Sequence, residues 1–177
     1  RKTGVFMWVS VDGYYERLDH TFDWPESDEE TYRFGIEQGT TSDLYFFGRK
    51  TYEMMASWWP TRAAQQNSPE MARQMNETGK VVFSRTLAEA TWQNTQLVRE
   101  DAAGEVRRLK ALPGKDITVL GSADLGVFLL ENGLRDEVSL MVAPVLLGEG
   151  KPLFAGLKRT LKLELESTRA FRNGCVL

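Results

Sequence analysis

The chain has 177 residues, enough for one domain with a good-sized core. Hydrophobic residues make up 42% and charged residues 27%, which excludes a disordered or fibrous chain. A net charge of −3 argues against broad nucleic-acid binding, and one cysteine, Cys175, excludes an internal disulfide and a cysteine-cluster metal site.

Thr3 to Val11 is a near-continuous apolar run, the pattern of a strand buried on both faces, and it breaks at Asp12-Gly13. Tyr14 to Pro25 reads as an aromatic-rich polar loop, long enough to be functional, in which His20 stands alone. Ser27 is the expected cap of a helix, with Glu30 in the capping-box position and Gly39 as its stop. Asp43 to Phe47 is a buried-type strand, and Gly48-Arg49-Lys50-Thr51 turns it into a helix that runs to about Ser57 and stops at Trp58-Trp59-Pro60. A polar helix spans Pro69 to Glu77, with Met71 and Met75 on one face. Strands follow at Lys80 to Phe83, which breaks at Ser84-Arg85, and at Trp92 to Val98. A helix from Ala102 to Leu112 closes at Pro113-Gly114.

Asp116 to Leu120 is again a buried-type strand, followed by Gly121-Ser122-Ala123 and a helix striped by Leu125, Phe128 and Leu129. Asn132-Gly133-Leu134 is its stop, with Gly133 left-handed and Leu134 folding back. Glu137 to Val145 is a strand interrupted by Pro144, and Leu147 to Lys151 is a glycine loop. Leu161 to Ser167 alternates like a half-exposed strand, and Thr168 to Leu177 forms a last strand around a turn at Asn173-Gly174. Early strands alternate with helices and late strands follow one another. The expected fold is therefore one α/β domain over 1–177, its sheet mostly parallel with an antiparallel edge.

Three strand ends share a chemistry. Phe47 leads into Gly48-Arg49-Lys50-Thr51, Phe83 into Ser84-Arg85, and Leu120 into Gly121-Ser122-Ala123. In a parallel sheet these ends lie on one edge, where ligands bind. Glycine turns entering helices offer backbone N–H groups for a diphosphate, and Arg49 and Arg85 offer forked cations for a phosphate monoester. A dinucleotide with an extra 2′-phosphate uses all of these, so NADPH fits better than NADH. No Gly-x-Gly-x-x-Gly follows a strand, so the binding geometry is not that of the Rossmann fingerprint.

Six stretches carry a family resemblance: Val9-Ser10-Val11-Asp12-Gly13-Tyr14, Gly48 to Glu53, Phe83-Ser84-Arg85, Gly121-Ser122, Gly133 to Glu137, and Pro144 to Phe154. Together they resemble the reductase family that includes the C-terminal domain of the bacterial riboflavin-pathway deaminase/reductase and, more distantly, dihydrofolate reductase. The match is most similar to stand-alone single-domain members. It implies a three-layer dihydrofolate-reductase-like fold with helices on both sheet faces, an NADPH-dependent reductase and a homodimer; the single cysteine favours a cytoplasmic setting, the net charge speaks against a nucleic-acid partner, and no apolar run is long enough for a membrane span. By the resemblance, Val9, Gly48, Arg49, Lys50, Thr51, Ser84, Arg85, Gly121, Ser122, Ala123 and Gly148 bind the cofactor. Ser10 and Asp12 fall at the catalytic end, with Asp12 as the candidate proton donor, and Tyr32 and Trp59 at the substrate. The implied substrate is a pterin-like or ribosylaminopyrimidine heterocycle, as in a 5-amino-6-(5-phosphoribosylamino)uracil reductase. The alternative is a dimeric nucleotide-binding protein of the same fold without turnover.

Overall fold

A computed structural model describes all 177 residues. Six strands form one sheet in the order β5-β4-β3-β6-β1-β7, every neighbouring pair parallel: β1 (Thr3–Ser10), β3 (Ser42–Gly48), β4 (Gly79–Phe83), β5 (Thr95–Val98), β6 (Asp116–Leu120) and β7 (Glu137–Ala143). Alternation along the strands sets two faces. Val5, Met7 and Val9 of β1, with Phe46, Val81 and Val119, pack against α5 (Ala102–Ala111) and α6 (Ala123–Glu131). Phe6 and Trp8, with Tyr45, Phe47 and Val82, face α1 (Glu29–Gly39), α2 (Arg49–Trp58) and α4 (Pro69–Glu77). The result is three layers with the sheet in the middle, as expected.

The expected antiparallel edge is small. Val176 bonds in both directions to Val142, and Ala170 bridges Val176 around the Asn173–Gly174 turn. Leu161 to Ser167 is not a strand. It lies outside the sheet, with Leu163 and Leu165 68% and 81% exposed. A period of two makes a strand only where a neighbour supplies backbone partners, and none lies beside these residues.

Local chemistry corrects three further boundaries. The cap of α1 is Asp28, not Ser27: its carboxylate accepts the Thr31 N–H at 2.9 Å, and the Thr31 hydroxyl oxygen accepts the Asp28 N–H. The loop after Gly13 contains β2 (Tyr14–Glu16), paired antiparallel with β8 (Lys151–Pro152). A short helix, α3 (Arg62–Asn67), follows Pro60 and is capped by Thr61. The stop of α6 is as read: Gly133 takes φ 63° and the Leu134 N–H reaches back to the Leu129 carbonyl.

Candidate active site

The sheet has a switch point between β3 and β6. The two strands are neighbours, yet β3 feeds α2 on one face and β6 feeds α6 on the other. Such a point opens a crevice beyond the strand C-termini, between two helix N-termini. Most helices of this chain close their own first turn: Asp28, Thr61 and Asp101 cap α1, α3 and α5, and α4 begins on Pro69. Neither α2 nor α6 has a side-chain cap. Their first-turn N–H groups, and the positive ends of their dipoles, face the crevice from both sides.

Ser122 ties the two turns together. Its Oγ accepts the Gly48 N–H at 2.7 Å, and its backbone sits in the left-handed region at φ 59°. The hydroxyl proton stays free for an anion. The contact is close because neither Gly48 nor Gly121 has a side chain. A Cβ at Gly48 would stand 3.3 Å from Ser122 Oγ, and one at Gly121, which has φ 59°, would stand 3.1 Å from the Thr51 methyl. Lys50 and Arg85 are exposed and have no carboxylate partner. Arg49 reaches Thr86 Oγ1 at 3.0 Å and Glu53 at 3.7 Å. The Ser84 hydroxyl oxygen accepts the Thr86 and Leu87 N–H groups, shaping the turn that carries Arg85. Val9 and Ala123 are core side chains, so only their backbone can line the crevice.

At the end of β1, Ser10 and Asp12 form a clamp. The Ser10 hydroxyl donates to Asp12 at 2.6 Å, and the Leu147 and Gly148 N–H groups donate to the same carboxylate at 3.1 and 2.7 Å. The Ser10 bond, followed by those from Gly148 and Leu147, holds Asp12 below the usual carboxylate range. A carboxylate so held keeps its charge and secures the 144–150 loop, and it is poorly suited to donate a proton. Gly148, at φ 76°, is placed in that loop by the clamp.

Tyr32 lies half-buried in the first turn of α1, at the same edge as the clamp. Trp59 does not join it. It follows the last turn of α2, about 15 Å along the helix from the Gly48 turn, where its carbonyl accepts from Asn76 at the end of α4. His20 is not alone: its Nδ1 lies 2.7 Å from Glu16 and 2.9 Å from Lys151 Nζ, and Lys151 bonds Glu16 at 2.6 Å. Burial pushes the Glu16 carboxyl up, but these bonds outweigh it and bring it below its ordinary value. The pairing of Glu16 with Lys151 was not readable, because 135 residues separate them.

A cleft of about 480 Å³ opens at the opposite edge between α1 and α4, lined by Gln74, Glu70, Arg73 and Glu77 among others. Ile36 is its one apolar wall residue, so it offers no flat surface to seat a ring.

The model of the RibD C-terminal domain family matches residues 1–177. The uncharacterized protein YyaP of Bacillus subtilis (strain 168) is 33% identical over 169 residues, 95% of this chain and 88% of that protein. A solved structure of a putative riboflavin biosynthesis protein from Shewanella sp. PV-4 superposes with a TM-score of 0.76 at 22% identity, covering 99% of this chain and 96% of the other. A diaminohydroxyphosphoribosylaminopyrimidine deaminase/5-amino-6-(5-phosphoribosylamino)uracil reductase from Thermotoga maritima superposes at 0.67 with 12% identity, covering 99% of this chain and 54% of that longer one. At these identities the two structures establish the fold.

Proposed function

We propose that this chain, which belongs to the RibD C-terminal domain family, is an NADPH-dependent reductase of a heterocyclic small molecule. The observation that carries this reading is the switch-point crevice: two uncapped helix N-termini bound to each other through Ser122 and Gly48, with unpaired Lys50 and Arg85 beside them. That donor set fits a diphosphate and a separate phosphate monoester. The backbone N–H groups of Arg49, Thr51, Ser122 and Ala123, with the Ser122 hydroxyl, would hold the diphosphate, Gly48 and Gly121 would let it approach the backbone closely, and Arg85 would hold the 2′-phosphate.

NADPH, when bound, supplies the hydride. The chain's part is to position and to exclude water. Ser10 and Asp12 hold the 144–150 loop against the end of β1, which sets the depth of the pocket, and Tyr32 offers a hydroxyl at its wall. Half-buried Val138 and Leu140 on β7 suit a homodimer interface. The single cysteine supports a cytoplasmic setting; no helix is long and apolar enough to cross a membrane.

The engaged Asp12 gives a second reading some support: a nucleotide-binding protein of the same fold that does not turn over, since the expected proton donor is held as a carboxylate. Titration of the protein with NADPH and NADH, followed by NADPH oxidation against pterins and ribosylaminopyrimidines, separates the two. Micromolar NADPH binding with oxidation supports the reductase. Binding with no oxidation supports the second reading, and no binding at millimolar cofactor refutes both.

A further inference from the structure

The phosphate turns occupy the ends of β4, β3 and β6. If the reductase reading holds, the ring to be reduced lies beyond the ends of β1 and β7. One stretch of chain crosses that half of the edge. Tyr15 packs against the core between the sheet and α5 and α6, while Trp24 is buried on the other face with Phe34 and Met141. Residues 16–23 therefore pass beyond the C-terminal ends of β1 and β7. The Tyr14 N–H, donated to Ser10 Oγ at 2.9 Å, seats the start of the crossing on the end of β1, and the pairing of Glu16 with Lys151 fixes its course. His20 rides on the crossing in a tight turn, its N–H on the Arg17 carbonyl at 3.0 Å and its backbone left-handed at φ 66°.

Reduction of a C=N or C=O bond needs a proton as well as a hydride. Asp12 is held as a carboxylate. Burial, followed by the charges of Glu16 and Asp124, pushes the Tyr15 hydroxyl up to about 12, too weak an acid for the task near neutrality. His20 is the one histidine of the chain, and its side chain is 59% exposed. An imidazole exchanges a proton near neutrality. Nδ1 lies 2.7 Å from Glu16 and 2.9 Å from Lys151 Nζ, and it cannot serve both. Glu16, at the shorter distance, takes the Nδ1 proton, and Lys151 donates to the second Glu16 oxygen at 2.6 Å. Nε2 makes no hydrogen bond within the chain, so the ring is oriented with its free nitrogen outward. Burial pushes the Glu16 carboxyl up, but the bonds from Lys151 and His20 outweigh it and keep it charged. The ring thus meets Glu16 from β2 and Lys151 from β8; within its own turn Arg17 is paired with Asp23 and Asp19 is bonded to Thr21. The Lys151 ammonium disfavours the imidazolium and eases release of its proton.

We propose that His20, oriented by Glu16, is the proton donor of the reduction, with Nε2 delivering to the nitrogen or oxygen of the reduced bond. The proposal rests on the reductase reading and supplies the acid that Asp12 cannot be. Hydride addition at the carbon shifts the π pair of the C=N or C=O bond onto its nitrogen or oxygen, which takes the Nε2 proton. The imidazolium becomes a neutral imidazole, its Nδ1–H still on Glu16, and regains a proton from water. His20 is the catalytic residue and Glu16 a positioning residue.

The test compares the native chain with His20→Asn, because asparagine tolerates the left-handed turn and removes the imidazole. The two should bind NADPH equally, which also checks folding. Against a ribosylaminopyrimidine and a pterin, the native rate of NADPH oxidation should fall as pH rises between about 5 and 8. His20→Asn should be about a hundredfold slower and flat over that range, and added imidazole should restore part of its rate. Glu16→Gln should move the fall to lower pH, because the imidazolium loses its carboxylate and keeps the Lys151 charge. Independently of turnover, the single histidine gives one set of ring ¹⁵N resonances. They should place the neutral ring's proton on Nδ1 in the native chain and shift it toward Nε2 in Glu16→Gln. A native rate that does not fall, a His20→Asn loss equal at every pH and not rescued by imidazole, or a neutral ring protonated on Nε2 overturns the proposal and leaves the reductase reading standing. NADPH binding with no oxidation of either compound, or no NADPH binding at all, removes both.

Discussion

Arg85→Ala tests the cofactor assignment most directly. Arg85 is exposed on the turn shaped by Ser84, with no ion pair to lose, so its removal should leave the fold unchanged. A guanidinium on a phosphate monoester contributes about 1.5–3 kcal/mol through charge-assisted hydrogen bonds. Exposure puts Arg85 at the lower end, about 1.5–2 kcal/mol, which corresponds to a rise in Kd of roughly 10–30-fold for NADPH. NADH lacks the 2′-phosphate and should change less than about twofold. Arg85→Lys keeps the charge and loses the fork, so it should fall between. The assay is equilibrium titration of both cofactors by fluorescence, repeated at rising salt, where the NADPH effect should shrink. Equal losses for NADPH and NADH refute the assignment. A loss confined to Lys50→Ala moves the 2′-phosphate to Lys50.

Ser122→Ala and Ser122→Gly both leave the Gly48 N–H without its acceptor, but glycine relieves the left-handed backbone, so Ser122→Gly should be more stable than Ser122→Ala by about 1 kcal/mol in urea unfolding. Asp12→Asn should speed amide exchange at Leu147 and Gly148 and lower activity without moving the acid limb of the pH–rate profile; a shifted limb would restore Asp12 as proton donor. Lys80, buried with its ammonium on the carbonyls of Met75, Asn76 and Thr78 and over the Trp92 ring, is pushed down by burial to about 8. Its folded value lies below the unfolded value of about 10.5, so the folded state holds fewer protons between the two. Stability should therefore rise with pH from about 8 to 10.5, by up to about 3 kcal/mol, relative to Lys80→Met in chemical denaturation; parallel curves for the two proteins would refute it. Trp59→Phe should leave NADPH affinity unchanged, because Trp59 lies at the far end of α2.

The strands and helices that could be read in advance are those whose signals are local. Apolar runs marked β1, β3, β4 and β6, and Gly133-Leu134 marked the end of α6, because burial and backbone conformation there are written in adjacent residues. What escaped needed a partner from elsewhere. The three residues of β2 make a strand only because Lys151 and Pro152 return beside them. Leu161 to Ser167 has the right alternation and no neighbour, so it is not a strand. The choice of Asp28 over Ser27 as cap turned on which oxygen reaches the Thr31 N–H, a shift of one residue that spacing does not resolve.

The site follows the same division, and Ser122 shows why. A serine side chain in a phosphate-binding turn ordinarily crowds close backbone approach. Its hydroxyl instead accepts the Gly48 N–H from a turn 74 residues away, so one phosphate-facing donor is exchanged for a hydroxyl proton that can turn toward either helix N-terminus. The two turns are then held at fixed separation before any ligand arrives. Preorganisation of this kind lowers the cost of ordering the crevice on binding. It follows that Ser122→Gly, though the more stable of the two variants, should bind NADPH more weakly than the native protein and lose that difference for a ligand contacting only one turn, such as inorganic phosphate. Equal weakening of NADPH and phosphate would show that Ser122 acts as a simple donor and does not brace the crevice.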